Sequence, residues 1–232
     1  MTRPLFALLL LLPLLTHTQT LERSFALELL PQLTEQRVSG LNGATFDDLE
    51  RLDSLESGTL SYGLGLTYES RVDRIGYTTG LRYSRLGYTT LPQRTPGSDT
   101  ETFTDDVTAH YLALPFELNF YQEATPKDRL LFTLGLSLQY HLGTRTERTR
   151  FTNGDETGAE ELPGADIDYR GILPAFTTSF AYDRKLSTDW ALRFQPAFQF
   201  FLNGNLQPND TAEANRQYYQ VGLRLILRRL FI

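Results

Sequence analysis

Residues 60–69 read Leu-Ser-Tyr-Gly-Leu-Gly-Leu-Thr-Tyr-Glu, so that every second side chain is apolar. Leucines and tyrosines occupy the even positions, and small or polar residues occupy the odd positions. Successive side chains of a β-strand point to opposite faces, whereas a helix would scatter these residues around its circumference. Residues 130–142 repeat the pattern, with Leu, Phe or Tyr at each even position. Both segments are therefore predicted to be strands with one apolar face.

The same alternation continues along the chain and predicts about eight strands. We place them near 23–38, 57–70, 74–91, 107–122, 129–145, 167–184, 188–206 and 215–232. The predicted connections alternate between short turns at 71–73, 123–128 and 185–187 and longer polar loops at 39–56, 92–106, 146–166 and 207–214. Short turns at one end and long loops at the other are typical of outer-membrane barrels. The predicted fold is an all-β, closed, antiparallel up-and-down transmembrane β-barrel with short periplasmic turns and longer extracellular loops.

Two features interrupt this pattern. Pro31, Pro115, Pro174 and Pro196 fall inside predicted strands, and each predicts a bulge or a local break because proline lacks a ladder donor. In the first long loop, residues 45–48 read Thr-Phe-Asp-Asp, which fits either a capping box that begins a short helix or a solvated loop.

The composition of the polar face indicates which side of the barrel is outside. This face is mostly Gly, Ser, Thr, Ala and Gln, which suits the tight lumen of an eight-stranded barrel better than a water-exposed surface. Aromatic residues of the apolar face lie near the short-turn end, as expected of an interfacial girdle: Tyr68, Tyr77, Phe120, Phe132, Tyr182, Trp190 and Phe231. A membrane barrel is therefore predicted, and a soluble lipocalin-like ligand-binding barrel is the alternative.

The first residues have the pattern of an export signal. Arg3 is followed by an apolar segment from Leu5 to Leu15, which has the length of a signal-peptide core and is too short to span a bilayer. We expect a cleaved signal peptide at residues 1–18 and a barrel domain at residues 19–232. A single N-terminal membrane anchor is the alternative.

Composition excludes several classes of protein. The formal net charge of −6 argues against a nucleic-acid partner, which would require a basic surface. The absence of cysteine excludes disulfides, thiolate metal sites and a lipidated N-terminal cysteine. A mean hydropathy of −0.30 excludes several helical membrane spans.

The polar face carries isolated ionisable residues, which need partners in a low-dielectric space. We predict an interior polar network that fills the barrel; a narrow polar conduit is the alternative. Its predicted members are Glu28, Glu69, Arg82, Glu117, His141, Arg193 and Arg224, and Asp183 and Arg228 lie on the same face.

No catalytic, cofactor-binding or metal-binding residues are predicted. His141 is placed in the lumen near the loop end, and no serine stands beside it in the order His-x-Ser. The acidic clusters of the long loops are expected to be solvated, and residues 153–156, Asn-Gly-Asp-Glu, lack the ligand spacing of a calcium loop. We therefore expect a non-enzymatic barrel without a cofactor, whose partners are outer-membrane lipid and other envelope proteins. A lipid-modifying enzyme is the alternative.

Three stretches resemble the PorT-like outer-membrane β-barrel proteins. They are residues 60–88 (LSYGLGLTYESRVDRIGYTTGLRYSRLGY), 110–121 (HYLALPFELNFY) and 220–231 (QVGLRLILRRLF). The second stretch shares the family's Tyr-Leu start and mid-strand proline. The resemblance implies an outer-membrane barrel with a structural, anchoring or accessory role in the envelope, including protein secretion or assembly.

Overall fold

The computed structural model describes residues 21–40, 44–163, 168–207 and 214–231. The expected signal peptide at residues 1–18 lies outside the described residues. The elements, in chain order, are β1 (Leu21–Gly40), α1 (Phe46–Leu55), β2 (Glu56–Val72), β3 (Ile75–Thr90), β4 (Gln93–Arg94), β5 (Glu101–Glu123), β6 (Asp128–Thr152), β7 (Asp155–Glu161), β8 (Ile172–Lys185), β9 (Trp190–Phe201) and β10 (Ala214–Phe231).

A ring of eight antiparallel strands forms the barrel wall, in the order β1, β2, β3, β5, β6, β8, β9 and β10. The ring closes between the first and last strands, where the register runs from Arg23 opposite Phe231 to Gly40 opposite Ala214. Closure leaves no free edge in the wall, so that backbone groups are paired without water, as a hydrocarbon environment requires. The predicted closed, up-and-down transmembrane barrel is confirmed.

The apolar side chains of the wall point outward. On β6, Leu134, Leu136 and Leu138 are exposed, whereas the neighbouring Thr133, Ser137 and Gln139 are buried in the lumen. A soluble lipocalin-like barrel would have these faces reversed, so that alternative is wrong. Exposed apolar residues occur on all eight wall strands, and we call this surface the lipid belt.

Aromatic rings gather at the short-turn end of the lipid belt. The Phe25 ring lies 5.4 Å from that of Tyr68 and 5.6 Å from that of Phe231, and the Phe120 ring lies 6.3 Å from that of Phe132. Amphipathic and aromatic rings favour the membrane–water boundary. Their clustering here is the interfacial girdle expected at the periplasmic side.

Three of the four prolines coincide with gaps in the ladder. Pairing of β1 with β10 passes from Leu29 directly to Gln32, which leaves out Pro31. Pairing of β3 with β5 passes from Thr79 to Arg82, opposite Pro115. At Pro196 the pairing of β8 with β9 passes from Ser179 to Tyr182, and Pro196 stays paired with β10. Each strand stays continuous because pairing on its other side is kept there. The prolines therefore loosen one ladder each without opening the wall.

The loops predicted at 92–106 and 146–166 are largely strand. β5 begins at Glu101, β6 continues to Thr152, and the hairpin partner β7 returns along it. Together with β4, these segments form a sheet that extends beyond the lipid belt, which we call the extracellular sheet. Both sides of this sheet face water, so it lacks the alternation on which the strand prediction depended. Arg148 of β6 instead donates two hydrogen bonds, of 2.7 and 2.8 Å, to the carboxylate of Asp105 on β5. This hydrogen bonding to Asp105 raises the pKa of Arg148.

The stretch at residues 153–156 is the hairpin turn between β6 and β7. Asn153 has a φ of 54° and Gly154 a φ of 92°. Positive φ at both central residues is the requirement of a tight type I′ turn, and Asn-Gly is its preferred sequence.

Within the loop predicted at 39–56, residues 46–55 form α1, so the helical alternative for this loop is confirmed. Thr45 is the N-cap: its hydroxyl accepts a bond from the Asp48 amide at 3.3 Å, and its own amide donates to the Asp48 carboxylate. The hydroxyl and amide of Thr45 hold the pKa of the Asp48 carboxyl below its usual value. Among the described residues, no helix has the length and apolar character needed to cross a membrane.

Replacing lipid-facing leucines of β6 with arginine tests the position of the belt. Leu136 is 56 % exposed in the middle of the belt, and Leu142 is 52 % exposed on the same face at its loop end. Leu136→Arg should cost about 2–4 kcal/mol and Leu142→Arg at most about 1 kcal/mol, because the cost of a charge falls with distance from the bilayer midplane. Reversible unfolding in liposomes measures both. Equal costs would contradict the placement of Leu136 near the bilayer midplane and of Leu142 at the edge of the lipid belt.

Candidate functional site: the filled interior of the barrel

Four charged side chains meet at mid-height in the lumen: Glu28 of β1, Arg82 of β3, Glu117 of β5 and Arg224 of β10. We call them the central ion ring. Arg82 donates to Glu28 through Nη2 at 2.8 Å and Nε at 3.0 Å, and it lies 3.4 Å from Glu117. Arg224 donates to Glu117 at 3.0 Å and to Glu28 at 3.3 Å. Acids and bases thus alternate around the ring, and its formal charge is zero.

Glycines in the wall make room for these long side chains. Gly65 of β2 lies directly between Glu28 and Arg82 in the register of the first three strands. A Cβ at Gly65 would lie 3.2 Å from Glu28 Oε2, and a Cβ at Gly135 would lie 2.7 Å from Glu117 Cγ. The charged side chains therefore occupy the space that the absent side chains of these glycines leave free.

A second group of charges lies nearer the short-turn end: Glu69, Asp183, Arg193 and Arg228, which we call the periplasmic ion cluster. Arg228 donates to Glu69 at 2.6 Å and to Asp183 at 2.7 Å. Arg193 donates to Glu69 at 2.8 Å and lies 3.4 Å from Asp183. The Tyr121 hydroxyl also donates to Glu69. This cluster again has two acids and two bases, so the charges balance.

The periplasmic rim carries ion pairs that the sequence did not indicate, among them the pair of Glu22 and Arg129. Arg129 of β6 donates to both carboxylate oxygens of Glu22 of β1 at 2.8 Å each. The two residues are separated by 107 positions in the chain. Glu22 stands just before the predicted first strand, and no local pattern links it to Arg129.

Uncharged polar side chains fill the space between the ion groups. Asn119 donates to Thr78 at 2.7 Å and accepts from Thr133 at 2.8 Å. Gln195 donates to Ser179 at 2.6 Å. Above the central ion ring, a cavity of about 20 Å³ is lined by residues that include Gln32, Gln220 and Arg224; this is room for about one water molecule.

The loop end of the lumen is closed by apolar side chains, which we call the aromatic layer. Its buried members pack against one another inside the wall: Leu86, Tyr88, Ala109, Tyr111, Leu173, Ala175, Phe201 and Tyr218. The Phe201 ring lies 5.6 Å from that of Tyr111 and 5.8 Å from that of Tyr218 in edge-on contacts. The sequence reasoning missed this layer because it assigned aromatic residues to the outer face.

The structure brings six of the seven predicted network residues into the two ion groups and places His141 elsewhere. His141 lies beside the aromatic layer, where its ring contacts those of Tyr111 and Tyr169 at 5.4 and 4.8 Å. Its Nε2 hydrogen-bonds the Thr144 hydroxyl at 2.8 Å. His110 points outward, and its Nδ1 bonds the Tyr83 hydroxyl at 2.6 Å.

Glu56, which sequence reasoning grouped with the solvated acidic loops, instead lies at the mouth of the barrel. Its carboxylate is almost fully buried and accepts from Arg216 Nε at 2.9 Å. The described part of the chain contains no group of three or more His, Cys, Asp or Glu residues arranged to hold a metal ion.

Together, the closed wall, the outward apolar belt and the charged lumen define a membrane-embedded antiparallel barrel. Residues 39–220 match the family model of the outer membrane protein beta-barrel domain. The match spans more than half of the chain, and the protein belongs to this family. The family also supports an outer-membrane location.

Solved structures of other barrels are similar in outline. Neisserial surface protein A (NspA) is 8 % identical over 88 % of this chain and 96 % of its own, with a TM-score of 0.43. The attachment invasion locus protein Ail of Yersinia pestis is 8 % identical over 90 % and 98 %, with a TM-score of 0.33. The outer membrane protease OmpT of Escherichia coli is 9 % identical over 94 % and 99 %, with a TM-score of 0.36. No curated protein matches the chain.

Neutralising one member of the central ion ring should strongly destabilise the barrel. Glu117→Gln leaves Arg224 and Arg82 without one of their two carboxylates, and breaking a buried pair costs about 3–5 kcal/mol. Arg150→Gln is the control, because the Arg150–Glu160 pair is half exposed on the extracellular sheet and is worth less than about 1 kcal/mol. Unfolding in liposomes compares the two, and similar losses would show that the ring contributes no more than a surface pair.

Two glycines of β6 provide a matched test of interior packing. Gly135→Ala places a Cβ 2.7 Å from Glu117 Cγ, whereas a Cβ at Gly143 meets nothing within 4 Å. Gly135→Ala should therefore cost about 1–3 kcal/mol through overpacking, and Gly143→Ala should be nearly neutral. The free energies of unfolding of both variants decide this. A neutral Gly135→Ala would mean that the interior has unused space.

Proposed function

We propose that this protein is a non-enzymatic, non-conducting outer-membrane barrel with an anchoring or accessory role in the envelope. The observation that carries the proposal is the filled lumen. The periplasmic ion cluster, the central ion ring and the aromatic layer lie one above another, and each draws side chains from several strands. Such a lumen supports a role for the outer surfaces of the protein rather than for a pathway through it.

The surfaces left for partners are the lipid belt, the periplasmic rim and the extracellular sheet. The sheet presents β7, whose seven residues are all exposed. The resemblance of residues 60–88, 110–121 and 220–231 to PorT-like proteins supports an accessory role in protein secretion or assembly. Outer-membrane lipid and other envelope proteins are the proposed partners.

The competing enzymatic role has little support from the geometry. Among the described residues, His110 hydrogen-bonds the Tyr83 hydroxyl, and His141 hydrogen-bonds the Thr144 hydroxyl and the Gly143 backbone. A nucleophilic site would need a carboxylate or equivalent group to orient the histidine. Lipid A and phospholipid mass spectra of a deletion strain should therefore equal those of the wild type, and a lost lipid modification would favour the enzyme.

Conductance in planar bilayers tests the closed lumen. The wild-type protein should give no channel steps, because water cannot form a column past the ion groups and aromatic rings. The double variant Tyr111→Ala/Phe201→Ala should also remain silent, since it leaves the central ion ring in place. A conducting porin in the same bilayer is the assay control, and regular steps from the folded wild-type protein would contradict the proposal.

The accessory role is tested in cells. A deletion strain should lose one or more secreted or surface-assembled proteins, and expression of the wild-type chain should restore them. His141→Ala should restore them equally well, because His141 has no chemical role in the proposal. An unchanged set of secreted and surface proteins would contradict an accessory role.

A further inference from the structure

We propose that the outward face of β3, β5 and β6, just beyond the lipid belt, binds the phosphate group of an outer-leaflet lipid. A cleft of about 570 Å³ lies on this face. Its basic and hydroxyl side chains nearest the belt are Arg85, Thr108, His110 and Arg145, which we call the outer arginine cleft. Neither the family match nor the proposed function assigns a role to these residues.

The strand register brings the two arginines to opposite sides of one strand. Arg85 of β3 pairs directly with His110 of β5, and Arg145 of β6 pairs directly with Thr108 of β5. Arg85 Nη2 donates to the Thr108 hydroxyl at 3.2 Å. Thr108 is thus flanked by a guanidinium from each neighbouring strand, with the His110 ring one step closer to the belt.

The cleft begins where the lipid belt ends. Tyr83 and Leu112 form the pair of residues directly below Arg85 and His110 in the ladder, and Leu112 is part of the exposed apolar surface. Leu60, also exposed and apolar, lines the cleft itself. A cation at this height lies at the level of lipid headgroups. Because the cleft is at the end opposite the short turns, those headgroups are in the outer leaflet.

Arg85 is the cation of the cleft that pairs with no carboxylate of the described chain. Within the described chain, its contacts are the Thr108 hydroxyl and the face of the Tyr62 ring, whose centre lies 5.9 Å from the guanidinium carbon. Arg145 differs, since it donates to Glu161 at 2.9 and 3.2 Å. The remaining acidic residues of the cleft, Asp106 and Glu147, form a direct pair one step farther from the belt. The belt side of the cleft is therefore its positive side.

The geometry suits a phosphate group. A guanidinium presents a planar fork of donors that matches phosphate oxygens. The Tyr83 hydroxyl fixes the His110 ring through Nδ1 at 2.6 Å; when the hydroxyl donates this bond, the neutral ring keeps its proton on Nε2 as a further donor. Exposed Leu60 and Leu112 beside the cations add contact surface for acyl chains, which favours a lipid phosphate over a free one.

Binding of defined lipids to the folded chain in detergent micelles tests this site, with native mass spectrometry as the readout. Bisphosphorylated lipid A should bind the wild type, and Arg85→Gln should weaken that binding roughly tenfold, as expected for the loss of a charge-assisted bond. Arg85→Lys should retain part of the affinity because it keeps the charge. The control is Arg184→Gln, which removes an exposed arginine at the opposite, periplasmic end and should leave binding unchanged.

Two further probes separate the sources of phosphate. Dephosphorylated lipid A should bind the wild type about as weakly as lipid A binds Arg85→Gln. Inorganic phosphate should not displace lipid A at equal concentration, because it lacks the acyl contacts. The proposal is overturned if Arg85→Gln binds lipid A normally, if Arg184→Gln loses as much affinity, or if the phosphates of lipid A make no difference. Displacement by inorganic phosphate at equal concentration would assign the site to a free anion instead. Heat-dependent gel mobility verifies that each variant is folded.

Discussion

An ionised side chain inside a lumen too narrow for bulk water must find its opposite charge on another strand, and the interior of this barrel is arranged around that constraint. Glu28 and Arg82 lie on strands that are not neighbours in the wall, and they meet across Gly65 of the strand between them. Gly65 leaves room for this ion pair, since a Cβ at this position would lie 3.2 Å from Glu28 Oε2. The same relation links Gly135 to Glu117. The strand register, the glycines and the charged residues together allow each buried charge to reach its partner.

The constraint also explains what could be predicted from the sequence. Alternation identified the wall strands and the face of each side chain, because lipid on one side and a polar lumen on the other impose a period of two. The ion-pair partner of each charged residue could not be predicted from the sequence. Arg228 pairs with Glu69 and Asp183, and these partners follow from the closure and stagger of the ring, which no local pattern encodes.

The prediction of strands and of their inward faces failed in the regions where the two faces of a strand have the same polarity. At the loop end of the lumen, Tyr111 and Tyr218 are buried inside the wall, so that apolar residues occupy both faces and alternation no longer distinguishes inside from outside. In the extracellular sheet both faces meet water, and cross-strand pairs such as Arg148–Asp105 hold strands that carry no apolar face. Asn153-Gly154 was the one local signal there, and it marks the hairpin turn by its positive φ angles.

Two arginines of β3 show how position decides the consequence of a charge. Arg82 points into the lumen, where carboxylates from β1 and β5 balance it. Arg85 is three positions farther along the strand, and the alternation of the strand turns it to the outer face, where the described protein supplies a hydroxyl and an aromatic ring. A guanidinium is satisfied only by acceptors. For Arg82 these acceptors are part of the fold, whereas the described protein gives Arg85 one hydroxyl acceptor and the surroundings of the barrel supply the others. At the edge of the lipid belt, the nearest acceptors outside the protein are the phosphate groups of the membrane lipids.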